Sequence, residues 1–144
     1  MFKKIAVAFD ESAEAERAFR SALDLAKFAS AELCLITVIE AFPAYIGYVS
    51  ASSPDVTRLL VDERRSFYEN LQNKAKLHAA EAGVSIQTEL AEGSEVATIV
   101  SVVERVDPDV VVVGLRRHSS DLQFFGGTAH QLANHIKCDI LGVH

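Results

Sequence analysis

The sequence has little of several residue types, and each shortage excludes a class of protein. Its two cysteines, Cys34 and Cys138, are too few for a disulfide framework and lack metal-type spacing, so two reduced thiols are expected. Three prolines and 24% charged residues are typical of a folded chain. No run of about 18 apolar residues could span a membrane. The apolar run at residues 5–9 is too short for a secretion signal, which predicts a cytoplasmic protein.

Basic residues are also scarce, because 14 lysines and arginines face 20 acidic residues and the net charge is −6. A nucleic-acid-binding protein needs a clustered basic face, so this charge balance argues against that class. The one local basic cluster is Arg116-Arg117-His118, which is large enough to meet a single phosphate group but not a duplex.

Strand-like and helix-like segments alternate along the whole chain. Most of the strand-like runs are apolar throughout, which is typical of parallel strands covered on both faces, whereas the third alternates and should lie at an edge. The five runs are residues 5–9, 33–39, 84–90, 109–114 and 140–143. We predict one α/β domain over residues 1–144, a three-layer doubly wound fold with a five-stranded parallel sheet in the order 3-2-1-4-5.

The loop after the fourth strand, residues 115–126, is the strongest candidate for a binding site. It opens after Gly114 and closes at Gly126-Gly127-Thr128, where the last helix is predicted to start. Glycine lets backbone N–H groups approach phosphate oxygens, and the threonine hydroxyl can donate another hydrogen bond. From local physics alone, a plain turn and helix cap is the simpler interpretation of the same residues.

Two further candidates follow the first two strands, at the edge where such sheets bind ligands. Asp10 comes directly after the first strand, and its carboxylate could accept hydrogen bonds from a ribose or a base. A turn aspartate is the simpler alternative. Val38, near the end of the second strand, could offer backbone groups to a flat ligand, or it could be core alone.

Taken together, these segments resemble the universal stress protein family. The resemblance covers the first strand with Asp10-Glu11-Ser12, the valine-rich strand ending at Gly114, and Gly127-Thr128 thirteen residues later. Family members that bind ATP carry Gly, two residues, Gly, nine residues, then Gly with Ser or Thr. The resemblance implies ATP or AMP at Asp10, the Val38 backbone, Gly114, Gly127 and Thr128, with magnesium only as the companion of the nucleotide.

The sequence departs from the family pattern at Arg117, which stands where the second glycine is expected. A side chain in a left-handed backbone would cost roughly 1–2 kcal/mol, yet arginine is also a natural phosphate partner. Lys137-Cys138-Asp139, without the Cys-Pro pair, is more similar to the branch of the family that lacks nucleotide. Both branches stay open.

The function predicted from these features is binding or sensing rather than catalysis. The family resemblance implies a homodimer, and the last strand, from Ile140 to Val143, is a short apolar edge suited to pairing with its own copy. A slow nucleotide hydrolase is a weaker alternative, because Asp10 is the one well-placed carboxylate. A phosphoryl receiver is weaker still, because no aspartate follows the third strand and no lysine follows the last. His130 and His135 lack the spacing of a metal site. The apolar segment 42–49 is interpreted as packing onto the fold, with a lid or partner surface as the alternative.

Overall fold

The computed structural model describes residues 1–116 and 127–144. In these two ranges, strands and helices alternate along the chain as the sequence predicts, apart from an additional short helix before the second long one. The strands are β1 Lys4–Ala8, β2 Glu32–Ile39, β3 Ile86–Glu92, β4 Val110–Gly114 and β5 Asp139–Val143. The helices are α1 Ala13–Ala29, α2 Ile46–Ser52, α3 Pro54–Glu81, α4 Glu95–Val106 and α5 Thr128–Ala133.

The five strands form one sheet in the order β3-β2-β1-β4-β5, and all four pairings are parallel. The predicted fold class and strand order are therefore confirmed. The chain moves outward from β1 to β2 and β3, and then returns past β1 to β4. The strand order thus reverses between β1 and β4, and crevices at such reversals are where open α/β sheets bind ligands.

Each face of the sheet carries its own apolar core, because successive side chains in a strand point to opposite faces. Ile5, Val7 and Leu35 pack with α1 and α3 on one face. Cys34 and Val111 pack with α4 and α5 on the other. Burial raises the pKa of the Cys34 thiol to about 11, which leaves it protonated and unreactive at neutral pH.

The element boundaries differ from the predictions in three places. The edge strand β3 begins at Ile86 rather than at Val84, because the Val84 N–H donates to the Ala79 carbonyl at the end of α3 (2.8 Å). The connection at residues 40–53, predicted as a loop, contains α2. The helix α5 ends at Ala133, although its apolar spacing continued to Ile136. Within the described ranges, no helix combines the length and the hydropathy that crossing a membrane requires.

Candidate functional site

Asp10 lies just after β1 and its carboxylate helps to start α1. Its Oδ1 accepts a hydrogen bond from the Ser12 N–H (2.8 Å), and the Ser12 Oγ in turn accepts from the Ala15 N–H (3.1 Å). Ser12 is therefore the N-cap of α1, as its residue type favours. One carboxylate oxygen of Asp10 thus has a structural role, while the described residues give its second oxygen no hydrogen bond.

The backbone of Val38 points into the gap beyond the end of β1. The Ile36 carbonyl accepts from the Phe9 N–H on the β1 side (2.8 Å), whereas the Ile39 carbonyl accepts from Gly93 on the β3 side (3.1 Å). Backbone groups of alternate residues in a strand point to the same side, so the N–H and C=O of Val38 face β1 as those of Ile36 do. The pairing with β1 ends at Ile36, which leaves Val38 beyond it.

Gly114 ends β4 directly against the start of α1. A Cβ built on this glycine would overlap the backbone of Glu14, at 2.5 Å from its carbonyl carbon and 2.7 Å from its Cβ. Close packing of α1 on the sheet therefore requires glycine here whether or not a ligand binds. The sequence pattern had suggested a different reason for glycine at this position, namely the close approach of a ligand.

Gly127 precedes α5 in a different environment. Its φ of −66° is open to any residue, and no described atom beyond its chain neighbours lies within 4 Å of the position that a Cβ would occupy. Neither backbone strain nor packing among the described residues explains a glycine at this position. Within the part of the chain that the structure describes, nothing occupies the position beside the start of α5, where the sequence predicts a ligand.

Thr128 begins α5 and is half-buried. It lies near Glu95, at the start of α4. The two residues line an open cavity of about 670 Å³. Its other lining residues are Glu40, Ser94, Val96, Ala97, Val100, Gln131 and His135. The lining residues therefore come from the start of α4, from α5 and the residues just after it, and from the connection after β2.

Glu95 is the main site residue that the sequence pattern does not reveal. Burial raises the pKa of its carboxyl group, and the negative charges of Glu40 and Asp10 raise it further. The nearby Thr128 hydroxyl and the positive charge of Arg116 lower this pKa in the opposite direction. A glutamate directly after Ser94 in the sequence suggests only a favourable residue for a helix start, so local pattern gave no signal of these long-range neighbours.

Arg117 lies outside the described residues, so the effect of its side chain stays a prediction. Its neighbour Arg116 is exposed and forms a loose ion pair with Glu14 (3.7 Å from Nε to Oε2). Among residues 1–116 and 127–144, no three His, Cys, Asp or Glu side chains are grouped so that they could hold a metal ion.

The segment that follows β2 does not pack onto the fold as a whole. Phe42 is covered by the Arg64 guanidinium, 4.9 Å above its ring, but Tyr45 and Tyr48 are 67% and 82% exposed. The interpretation that this segment packs onto the fold is wrong for these two tyrosines. They lie on the surface, and α3 carries other exposed apolar side chains such as Leu59.

A family model described as the universal stress protein family matches residues 1–144. The chain belongs to the universal stress protein family. Its resemblance to that family is thereby confirmed. A relative named as a putative universal stress protein in Staphylococcus saprophyticus is 30% identical, with the alignment covering 99% of this chain and 83% of the relative.

Solved structures of family members share the fold. UspA from Lactobacillus plantarum superposes with a TM-score of 0.79 at 22% identity, covering 99% of this chain and 97% of that one. A universal stress protein in complex with cAMP gives 0.73 at 24% identity (99% and 97%). A family protein from Arabidopsis thaliana with AMP bound gives 0.71 at 20% identity (98% and 90%). At these identities the likeness establishes the fold alone.

Proposed function

We propose that this universal stress protein is a binding or sensing protein that takes an adenine nucleotide, ATP or AMP, at the carboxyl edge of β1, β2 and β4. The observation that carries the proposal is the backbone of Val38, which faces the gap beyond β1 beside Asp10. We treat residues 1–144 as one domain and place it in the cytoplasm.

The Val38 backbone has the chemistry that an adenine edge needs. A strand residue offers one N–H donor and one C=O acceptor on the same side, and buried backbone groups require such partners. Adenine carries an amino donor next to a ring-nitrogen acceptor, so one base edge can satisfy both groups of Val38. Hydrogen bonds of this kind would distinguish adenine from a base that lacks the amino group.

Asp10 would hold the ribose of the same ligand. Its Oδ1 is already fixed by the Ser12 N–H, which orients the carboxylate rigidly, and its Oδ2 remains to accept from a ribose hydroxyl. An ordered carboxylate loses little freedom when a ligand arrives, and this favours binding.

The phosphates would then extend toward Gly127 and Thr128. No described atom beyond the chain neighbours lies within 4 Å of a Cβ on Gly127, and the hydroxyl of Thr128, the next residue, would donate to a phosphate oxygen. Gly114 would border the site while holding α1 in place, and the guanidinium of Arg117 would contact a phosphate directly. Any magnesium would arrive with the nucleotide. Proteins of the same fold that hold cAMP or AMP support the choice of an adenine nucleotide.

The sharpest test is Asp10→Asn, because asparagine keeps the Oδ1 that accepts from the Ser12 N–H and replaces only the second oxygen by an amide donor. Calorimetric titration with AMP should show an affinity at least about tenfold lower, as expected when a buried ligand hydroxyl loses its acceptor. The matched control is Asp24→Asn, on the exposed face of α1, which should bind as the wild type does. Equal affinity for Asp10→Asn and the control would remove Asp10 from the site.

A second candidate function is that of a stress protein without nucleotide, which acts through protein contacts. It is favoured by the carboxylates of Asp10, Glu40 and Glu95, which give the site a negative field, and by the exposed Tyr45 and Tyr48. Titration that stays silent with AMP, ATP and adenosine would favour this function. We do not propose that the protein hydrolyses ATP. Release of phosphate in an assay with ATP and magnesium would contradict this.

In either case we propose a homodimer through β5. This strand lies at the edge of the sheet, is mostly exposed, and presents Leu141 with 40% of its surface accessible. An apolar edge of this kind can pair with its own copy. Leu141→Lys should halve the mass measured by light scattering; a wild-type monomer at the same concentration would contradict the dimer.

A further inference from the structure

Only the second half of the long helix α3 packs on the sheet. All of its fully buried side chains lie between Tyr68 and Ala79, where Ala75 and Ala79 join the apolar core. The first half, residues 54–67, is described throughout and contains no fully buried side chain. It spans about 21 Å at the usual helical rise. Isolated helices of this length are marginal in water, so a contact with a partner would stabilise this half.

The first half of α3 carries apolar side chains that face solvent. Val56, Leu59 and Phe67 are 48%, 58% and 51% exposed. With Glu63 between the last two, the spacing is three, four and four residues, which places the four side chains on one face of the helix. A surface helix usually packs such a face against its own core, whereas this face has no core beneath it in the described chain.

The same face is acidic. Glu63 lies within it, and Asp55 and Asp62, seven residues apart, lie along its border beside Leu59. The three carboxylates are exposed, and none forms an ion pair with another described residue. The three apolar residues and these three carboxylates are called the α3 stripe. It therefore combines apolar area with negative charge.

The arginines of the first half of α3 do not neutralise the stripe. The Arg64 guanidinium lies 4.9 Å above the Phe42 ring, and Arg65 lies 3.5 Å from a carboxylate oxygen of Glu92. At about 100° of rotation per residue, Arg58 falls on the side of the helix away from the stripe. The charge of the stripe is thus left for a partner to balance.

We propose that the α3 stripe is a docking surface for a partner protein that presents a cationic amphipathic helix. Apolar side chains of that helix would cover the apolar residues of the stripe, and its lysines or arginines would lie beside the three carboxylates. A second copy of this chain is a poor occupant, because a two-fold contact would set the same carboxylates against each other. The inference rests on the second candidate function, whose partner it describes, and holds with or without a nucleotide.

The exposed tyrosines that precede α3 suit the same partner. The helix α2 packs on α3, and its Tyr48 is among the most exposed aromatic side chains of the described residues. The contact of Arg64 with Phe42 shows a guanidinium held on an aromatic ring in this part of the chain. An arginine of the partner would bind a tyrosine ring in the same way, and tyrosine often dominates the binding energy of an interface.

The probe for this surface is a fluorescein-labelled peptide of leucine and lysine, about 16 residues long, with its leucines at helical spacing. Fluorescence anisotropy measures its binding at about 50 mM and about 500 mM salt. The control peptides are the same composition in scrambled order and a leucine–glutamate peptide of the same pattern. The wild-type protein should bind the first peptide at least about tenfold more tightly than either control.

The apolar part of the stripe is tested by the double variant Leu59→Ser, Phe67→Ser. It should bind the leucine–lysine peptide at least about tenfold more weakly, because two apolar side chains no longer become buried. Leu77→Ser is the matched control, since this leucine is 67% exposed on the second half of the same helix. It lies about 15 Å beyond the stripe, so peptide affinity should not change.

The acidic part is tested by Glu63→Lys, which changes an exposed residue without altering the core. Peptide affinity should fall about fivefold at about 50 mM salt and less than about twofold at about 500 mM. Glu104→Lys makes the same change of net charge at an exposed position of α4 and should bind as the wild type does. Urea unfolding of each variant checks that the fold is intact.

Three outcomes would overturn the docking surface. Equal binding of the scrambled peptide, or an equal loss in Glu63→Lys and Glu104→Lys, would reduce the effect to unspecific attraction by the net charge. A mass by light scattering that halves in the double variant would make a second copy the occupant. Silent titration with AMP beside intact peptide binding would instead remove the nucleotide site and leave the docking surface standing.

Discussion

Gly114 and Gly127 stand at the two ends of the same glycine pattern, yet their surroundings are opposite. A Cβ on Gly114 would overlap the backbone of Glu14, whereas one on Gly127 would meet no described atom within 4 Å. The first glycine is thus explained by the packing of α1 on the sheet, and the second by nothing in the described chain. A glycine of the family motif can therefore be required by packing alone, whereas no described contact explains Gly127, for which the ligand stays a prediction.

The largest effect should come from Gly114→Ala. The neighbour is backbone rather than a flexible side chain, so α1 would have to shift, and overpacking of this kind costs about 3 kcal/mol of unfolding free energy. Urea unfolding measures the loss. Gly47→Ala is the control, because its Cβ also meets open space and it lies within α2, where alanine is favoured. If the urea midpoint of Gly114→Ala were unchanged, the packing of α1 on the sheet would not require glycine at this position.

Gly127→Val should differ from Gly114→Ala in having little effect on stability and a large effect on ligand binding. Its backbone conformation accepts a side chain, so the unfolding free energy should fall by about 1 kcal/mol or less. The valine would fill the space proposed for phosphate, and AMP affinity should fall at least about tenfold, whereas adenosine affinity should change little. Calorimetry with both ligands on the folded variant checks this. Equal loss for AMP and adenosine would point to a general disturbance of the site.

The surroundings of Gly142 are intermediate between those of the other two glycines, and Gly142→Ala should have the smallest effect of the three substitutions. Its Cβ would lie 2.6 Å from Cδ1 of Leu115, the end of a side chain that can rotate away, so the loss should be about 1 kcal/mol or less. Combining it with Leu115→Ala should remove the overlap, and the double variant should be less destabilised than the sum of the single changes. Strict additivity in urea unfolding would contradict this contact.

The sheet could be predicted from the sequence because continuous apolar runs and alternating helices leave few arrangements other than a parallel sheet. The boundaries were less accurate where a helix end competes with a strand. Val84 fits the alternation of β3, but its N–H is taken by the cap of α3, whose chain turns at Gly83 with a φ of +79°. The short helix α2 had no strong local signal beyond its apolar residues.

The candidate site could be predicted only in part. Asp10 and Val38 are adjacent to strand ends, so topology alone brings them to one edge, and their ligand roles stay predictions. Glu95 could not be identified in this way, because its surroundings are formed by residues such as Glu40 and Thr128 that are distant from it in the sequence. The raised pKa is a property of that assembly and of burial rather than of any local sequence pattern.

The most direct test of adenine nucleotide binding is to release and identify the small molecule that copurifies with the wild-type protein by mass spectrometry, beside calorimetric titration with ATP and AMP. We predict that an adenine nucleotide is released and that the emptied protein rebinds it. Release of no nucleotide, with titrations that stay silent up to about millimolar concentration, would contradict the nucleotide site and leave protein contacts as the function of this fold.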